Sequence, residues 1–330
     1  MDDGRKLMKT WKVFCQMRKN KTWIFLITTI LFGVVVFLSL SQGVAQLTSV
    51  IFRYVRLPRT MACVFAGAGL AVSGVVIQNV LSNKLASPGI IGVNAGAGFA
   101  VTLCCAFGML SGWAIAGSAF AGAFLAVMLV VGVAEKVNAS RTTVILGGVA
   151  VNSFLNAGSE AIITLFPDVG AVSGDFRVGG FASVTTARLL PAMVLIVVGL
   201  CIIFTLSNEL DVMNLGEETA QGLGLPVKRM RGLLLIVAAL LAGASVSFAG
   251  LLGFVGLIVP HIARKIVGGE NRYLLPFSTL LGATFVTACD IAARVLFQPY
   301  EIPVGIIMSF IGGPFFVFLL LKNKGGHRHD

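Results

Sequence analysis

The sequence predicts an all-α, polytopic membrane protein with about ten transmembrane helices. Three observations carry that prediction. Of 330 residues, 57% are hydrophobic and 12% are charged, against about 25% charged in soluble domains, so the chain cannot be a water-solvated globule. Apolar runs of roughly 18 residues or more recur along it, each about long enough to cross a bilayer core as a helix. Its 39 glycines suit close helix packing in lipid rather than a β-barrel, whose segments would alternate strictly over about ten residues.

Apolar runs, with the charges and turn residues between them, place spans near 23–43, 59–81, 89–109, 113–134, 142–165, 187–206, 232–249, 253–268, 274–294 and 304–321. The first span follows a basic segment, 1–22. Its apolar run, Trp23 to Leu40, is long for a signal sequence and no clear A-x-A site follows, so it reads as uncleaved. Pro58 and Pro88 sit at or near the first turns of spans two and three, where a missing N–H is harmless, with Ser87 as a plausible N-cap. Span three is crowded with Gly from Gly89 to Gly108, as a helix inside a bundle would be. Pro260 and Pro314 lie within spans eight and ten and predict kinks.

An even number of spans puts both termini on one side. Arg5, Lys6, Lys9, Lys12, Arg18, Lys19 and Lys21 at one end, and Lys322, Lys324 and Arg328 at the other, mark that side as the cytoplasm. Threaded this way, 19 of the 25 basic residues face inward and six face outward: Arg53, Arg56, Arg59, Arg177, Arg188 and Arg294. The net charge of +11 is then a positive-inside signature, and nucleic acid is not an expected partner. Residues 23–321 form a single membrane domain, with 1–22 and 322–330 as cytoplasmic flanks. The six cysteines, Cys15, Cys63, Cys104, Cys105, Cys201 and Cys289, fall mostly in apolar runs without metal-ligand spacing and read as small, reduced hydrophobes.

One polar stretch interrupts this pattern, GEETAQGLGLPVKRMR from Gly216 to Arg231, on the cytoplasmic side between spans six and seven. Glu217 and Glu218 open a short helix where the macrodipole favours acids. Ala220 and Gly222 give it a low-relief face, Gly224 can end it in a left-handed turn, and Pro226 starts the next piece. Lys228, Arg229 and Arg231 anchor span seven at the headgroups. Such a unit could dock into a groove on a cytoplasmic partner, or rest as an amphipathic loop on the membrane surface.

Span five, TVILGGVAVNSFLNAGSEAIITLF, carries a polar stripe. Gly148, Asn152, Asn156 and Ser159 recur at helical spacing on one face, and Glu160 lies beside it. The stripe either lines a path for a polar solute or supplies interhelical hydrogen bonds. His261, in VPHIAR, stands without a second ligand at metal-site spacing and reads as structural. No metal site and no catalytic group are expected, and no G-x-x-x-x-G-K-[ST] phosphate loop is found, so this chain should not hydrolyse ATP itself.

Several blocks resemble one family. EETAQGLG is similar to the E-A-x-x-L-G core of coupling helices by which ABC-importer permeases engage their ATPase. RLPRTMACVFAGAGLAVSGVVIQNVLSNKLASPGIIGVNAGAG (Arg56 to Gly98), GLLGFVGLIVPHIARKIVG (Gly250 to Gly268) and the closing GATFVTACDIAARVLFQPYEIPVGIIMSFIGGPFFVFLLL resemble the FecCD/BtuC-type permeases of iron-siderophore, haem and cobalamin importers. The resemblance implies a type II ABC importer permease (BtuC-like) fold in a bacterial cell membrane, paired with a second copy or a paralogue. It implies two cytoplasmic ATPase subunits that hold ATP and magnesium, an extracytoplasmic substrate-binding protein, and a metal chelate as substrate. Cofactors bound by this chain itself are not expected.

Carried onto this sequence, the resemblance makes 207–231 the coupling region, with Glu217, Glu218, Ala220, Gly222, Leu223 and Gly224 at the ATPase. It makes Arg56, Arg59 and Arg294 pockets for carboxylates of the binding protein, a task suited to the planar guanidinium fork. Headgroup anchoring is the alternative, and for Arg294 so is an internal pair with Asp290 four residues before it. It places span five at the central interface, with Gly148, Asn152, Asn156, Ser159 and Glu160 on the translocation path. Two departures stand out. Asn83-Lys84-Leu85-Ala86 replaces the family's N-P-L-A and loses a rigid proline, and DFRVGGFASVT (Asp175 to Thr185) lacks the tryptophan of a W-x-x-G-S-like outer motif. The expected function is inward, ATP-driven alternating-access transport of an iron chelate, foremost a ferric siderophore. Haem or cobalamin transport by the same fold, and an ion-coupled secondary transporter, are the alternatives.

Overall fold

The computed structural model describes residues 3–43, 48–136 and 141–324. His327, Arg328 and His329 lie outside the described residues, as do the side chains of residues up to Asn20, Cys15 among them, and that of Glu217. The described chain is helical, with no strand among the described residues. Its helices are α1 (Asp3–Ser41), α2 (Ser49–Ile51), α3 (Leu57–Val80), α4 (Val93–Ala106), α5 (Gly112–Lys136), α6 (Arg141–Leu165) and α7 (Pro167–Val178). They continue with α8 (Thr186–Thr205), α9 (Ser207–Asn214), α10 (Glu217–Gly222), α11 (Val227–Ala249), α12 (Val255–Val267), α13 (Asn271–Val295) and α14 (Val304–Lys324), and a π-helical turn, Phe52–Arg56, joins α2 to α3.

Every interval read as a span carries one of these helices, the third only over Val93–Ala106. Six stretches are long and apolar enough to cross a membrane by length and composition: Lys21–Ser41, Ser49–Val80, Gly112–Ala134, Thr186–Thr205, Val227–Ala249 and Asn271–Val295. Val93–Ala106 and Val304–Leu319 are shorter apolar helices. The stretch containing α3 is 83% buried, as is α11, whereas that of α1 is 17% buried. Thus α3 and α11 form the centre and α1 the rim, where exposed Trp23, Phe37 and Leu31 suit hydrocarbon.

Small residues set the spacing at the centre. A Cβ on Gly67 of α3 would lie 2.6 Å from the carbonyl carbon of Gly282 on α13, and one on Gly74 would lie 2.5 Å from Cα of Gly256 on α12. Backbones approach this closely only where side chains are absent. Ser73 then donates to the Ala238 carbonyl of α11 at 2.8 Å, satisfying a buried hydroxyl between the two central helices.

Two local expectations change. Helix α4 starts at Val93, so Ser87 and Pro88 do not open it. Gly92 takes φ of +105° just before the helix, a backbone state open to glycine, and the preceding residues form turns. In that stretch Asn83 compensates for the missing proline, its Oδ1 accepting from the Leu85 N–H at 2.9 Å, as in an Asx-turn. The second change is α7, where an outer loop was expected. Pro167 in its first turn, Asp168 beside it and Gly179 at its end are the ordinary punctuation of a short helix.

Candidate functional site

One end of the bundle gathers the C-termini of α1 and α13 and the N-terminus of α3, and all three candidate docking arginines lie there. Arg56, at the end of the π-helical turn, is 4% exposed. Its Nη1 donates to the Leu40 carbonyl at 3.0 Å and to that of Ser41, serving carbonyls that the end of α1 leaves without helical partners. Arg59, one turn on, wraps Asp290 of α13: Nε lies 3.1 Å from both carboxylate oxygens and Nη2 3.0 Å from Oδ1. Its Nη1 donates to Glu301 Oε2 at 2.7 Å.

Arg294 shares the same acid. Its Nε lies 3.1 Å from Asp290 Oδ2, while Nη1 donates to the carbonyls of Ser39 and Gln42 at 3.2 and 3.1 Å and Nη2 to Ser39 Oγ at 3.0 Å. Asp290 is fully buried between the two guanidinium groups. The internal pair of Arg294 with Asp290, offered above as the alternative to docking, is therefore present, and Arg59 shares the same carboxylate. Arg56 and Arg294 are committed to α1 and Asp290, and a partner could engage them only by displacing those contacts. Arg59 alone keeps a side on open space, lining a cavity of about 480 Å³ with Glu301, Arg188, Asp175, Phe176 and Phe248.

The opposite end carries the polar stretch. Helix α10 ends in a Schellman motif: the N–H of Leu225 bonds the Ala220 carbonyl at 3.0 Å, that of Gly224 bonds the Gln221 carbonyl at 2.9 Å, and Gly224 has φ of +83°. Ala220 was expected on the presented face. It is instead fully buried, because the turn folds α10 back onto the body of the protein. The presented surface consists of Glu218, Thr219, Gln221, Gly222 and Gly224 with Leu223, which is 64% exposed. A Cβ on Gly222 would meet nothing within 4 Å.

Behind this surface runs a partly buried polar network that the sequence reading missed. Asp211 of α9 accepts from the Asn271 N–H at 3.0 Å and its Nδ2 at 2.8 Å. Asn271 Oδ1 accepts from Asn79 Nδ2 at 2.7 Å, and Asn79 Oδ1 accepts from Arg264 Nη2 at 2.8 Å. Arg264 Nη1 also donates to Gln78 Oε1, and Gln78 Nε2 donates to the Gly256 carbonyl at 3.2 Å. The chain of contacts ties α9, next to α10, to the ends of α3, α12 and α13. Lys21 joins the same end through Glu270 at 3.7 Å and the ring of Tyr273.

The stripe on α6 divides. Asn152 Nδ2 donates to the carbonyls of Gly89 and Ile90 at 2.8 and 3.1 Å, and a Cβ on Gly148 would lie 3.1 Å from Cα of Ile91. Ser159 is buried and returns its hydroxyl to the Leu155 carbonyl at 3.0 Å. These three serve packing within the chain. Asn156 is exposed. Glu160 is also exposed, and pairs with Arg177 of α7. His261 packs edge-on against Phe315, ring centroids 5.8 Å apart. Among the described residues no three His, Cys, Asp or Glu side chains gather as a metal site.

Comparison with known proteins adds to this geometry. The profile of the FecCD transport family matches residues 21–322. The Fe(3+)-citrate import system permease protein YfmD of Bacillus subtilis is 37% identical over 92% of this chain and 96% of its own length. The iron(3+)-hydroxamate import system permease protein FhuB of the same organism is 37% identical over 88% of this chain and 80% of its own. The vitamin B12 import system permease protein BtuC of Klebsiella pneumoniae is 32% identical over 94% and 96%. A solved ABC transporter of metal-chelate type, in an inward-facing conformation, superposes with a TM-score of 0.84 at 31% identity, covering 91% of this chain and 99% of that one.

Proposed function

This chain belongs to the FecCD transport family and is a multi-pass membrane protein, and from that premise we propose that it imports a ferric siderophore as the permease subunit of an ABC importer. The observation that carries the reading is the 37% identity, over 92% of the chain, to a relative named for Fe(3+)-citrate import. Two copies, or this chain and a paralogue, enclose the path, ten helices cross a bacterial plasma membrane, and both termini are cytoplasmic. An extracytoplasmic binding protein delivers the chelate at the end where Arg56, Arg59 and Arg294 gather. Two ATPase subunits bind ATP and magnesium and engage the other end at Glu217, Glu218, Gly222, Leu223 and Gly224.

The two ends have the chemistry these roles need. Arg59 keeps Nη1 beside a cavity, held by the partly exposed Glu301, and a guanidinium N–H there suits a carboxylate. Helix α10 offers a short, stiffly ended, low-relief surface, with Gly222 leaving room for a partner to approach. Asn156, exposed on α6, is free to meet a solute on the path, Glu160 is exposed there too and paired with Arg177, and Gly148, Asn152 and Ser159 hold α6 in place. Transport is alternating access, driven by closure of the ATPases against α10.

The test is uptake of iron-55 presented as a panel of ferric siderophores and ferric citrate, with haem and cobalamin alongside, in cells lacking this chain and complemented with it. Restored uptake of one ferric chelate alone is the expected result. Restored uptake of only haem or cobalamin would overturn the substrate reading.

A further inference from the structure

We propose that Glu301 is a built-in placeholder, holding Arg59 until an acidic side chain of the docking partner takes its place. The inference rests on the reading above that an extracytoplasmic binding protein docks at this end. It adds how the undocked site is kept stable and what sets its affinity.

The two carboxylates on Arg59 are held very differently. Asp290 is fully buried on α13, touches Arg59 through three hydrogen bonds and is shared with Arg294. Glu301 lies on the non-helical stretch between α13 and α14. Its side chain is 39% exposed, and one oxygen contacts one guanidinium nitrogen. Asp290 is a fixture; Glu301 is replaceable, because its partly exposed carboxylate makes a single contact and regains water on release while Arg59 keeps Asp290.

The space beside the pair suits an incoming acid. Arg59 and Glu301 line the same cavity of about 480 Å³ as Arg188 and Asp175. Arg188 donates only to Thr185 Oγ1 at 3.1 Å and to the Ser183 carbonyl at 3.1 Å, both neutral, so its charge has no carboxylate partner among the described residues. When Glu301 turns out toward solvent, the wall presents Arg59 Nη1 together with Arg188. A partner carboxylate entering there replaces like with like, and because Arg59 keeps its three bonds to Asp290 throughout, the opened state never leaves a buried cation without a counter-charge.

Competition fixes the sign of the effect. A partner that binds only the opened state has its dissociation constant raised by the inverse of the open fraction. Neutralising Glu301 removes that competitor. For a partly exposed pair the gain is about two- to fivefold in affinity.

The experiment measures the dissociation constant of the binding protein for the whole transporter, permease with its ATPase subunits, in lipid nanodiscs. Glu301→Gln should tighten binding about two- to fivefold. Asp175→Asn removes the same charge from the same cavity without touching Arg59 and should tighten it less. Arg59→Lys, which keeps a cation for Asp290 but loses the fork, should weaken it. Unchanged or weaker binding by Glu301→Gln, with Arg59→Lys still impaired, would overturn the placeholder and leave docking at Arg59 standing. Equal tightening by Asp175→Asn would also overturn it, since general electrostatics would then suffice. Unaltered binding by both Arg59→Lys and Glu301→Gln would overturn the docking reading and the placeholder together.

Discussion

Replacing Asp290 by Asn keeps the side-chain shape and removes the charge on which two arginines converge. At an effective dielectric of about 20, two unit charges about 3 Å apart attract by roughly 5 kcal/mol before desolvation is counted, and Asp290 has two such partners. Some support survives the change: Arg59 keeps Glu301, Arg294 keeps Ser39 and Gln42, and Asn retains one acceptor oxygen. Removing one member of a buried ion pair costs about 3–5 kcal/mol, so Asp290→Asn belongs near the lower end, at about 3 kcal/mol. Glu301→Gln, at a half-exposed site, should cost under about 1 kcal/mol.

The protein carries reporters for this test. Cys63, one turn beyond Arg59, and Cys289, next to Asp290, are both buried. Thermal unfolding in detergent, followed by a thiol-reactive dye, should show these thiols labelling several degrees lower in Asp290→Asn than in wild type. Exposed Cys201 supplies a constant early signal, removed by Cys201→Ser. An Asp290→Asn protein that melts with wild type, or no differently from Glu301→Gln, would refute the claim that this buried carboxylate holds the three helix ends together.

Gly67→Ala should be poorly tolerated, because its methyl would press on the backbone of Gly282. Overpacking costs about 1–3 kcal/mol where side chains can yield, and here the neighbour is main chain. Gly33→Ala on α1, with nothing within 4 Å of the new carbon, should melt like wild type or slightly above it; equal melting for the two variants would contradict the close α3–α13 packing. Asn152→Leu should lower the melting temperature by stripping the bonds to the Gly89 and Ile90 carbonyls. Asn156→Leu should leave melting unchanged and slow chelate uptake. The reverse assignment of those two phenotypes would remove Asn156 from the path.

Much of this architecture was legible because membrane helices declare themselves locally. Apolar length, the basic flank before Trp23 and the prolines and glycines between runs placed a helix at every predicted span, and Gly224 ended α10 as its residue type suggested. What stayed hidden depends on contacts between distant residues. Asp211, Asn271, Asn79 and Arg264 meet across as many as 192 positions, and no periodicity in one segment reports that. The clue available was Gln78-Asn79, two amides closing an otherwise apolar helix, since buried amides need partners. The stripe on α6 was read as one face, and the structure divides it, packing Gly148, Asn152 and Ser159 within the chain and leaving Asn156 exposed. Which neighbour that face meets depends on where the turn before α4 runs, and Gly92 delays the start of α4 beyond the point Pro88 suggested. The arginines were found by type and place, and the pair of Arg294 with Asp290 was legible from its four-residue spacing, while the contacts of Arg59 with Asp290 and of Arg56 with the carbonyls at the end of α1 join distant residues.

The most direct test of the central claim uses proteoliposomes containing this chain with the proposed ATPase and binding-protein partners, following entry of a ferric siderophore with ATP on the ATPase side. Wild type should import only when ATP is present. Gly222→Trp, which places an indole on the open face of α10, should melt normally and import at background levels. Import by the Gly222→Trp protein at the wild-type rate, or import driven by an ion gradient without ATP, would contradict the account.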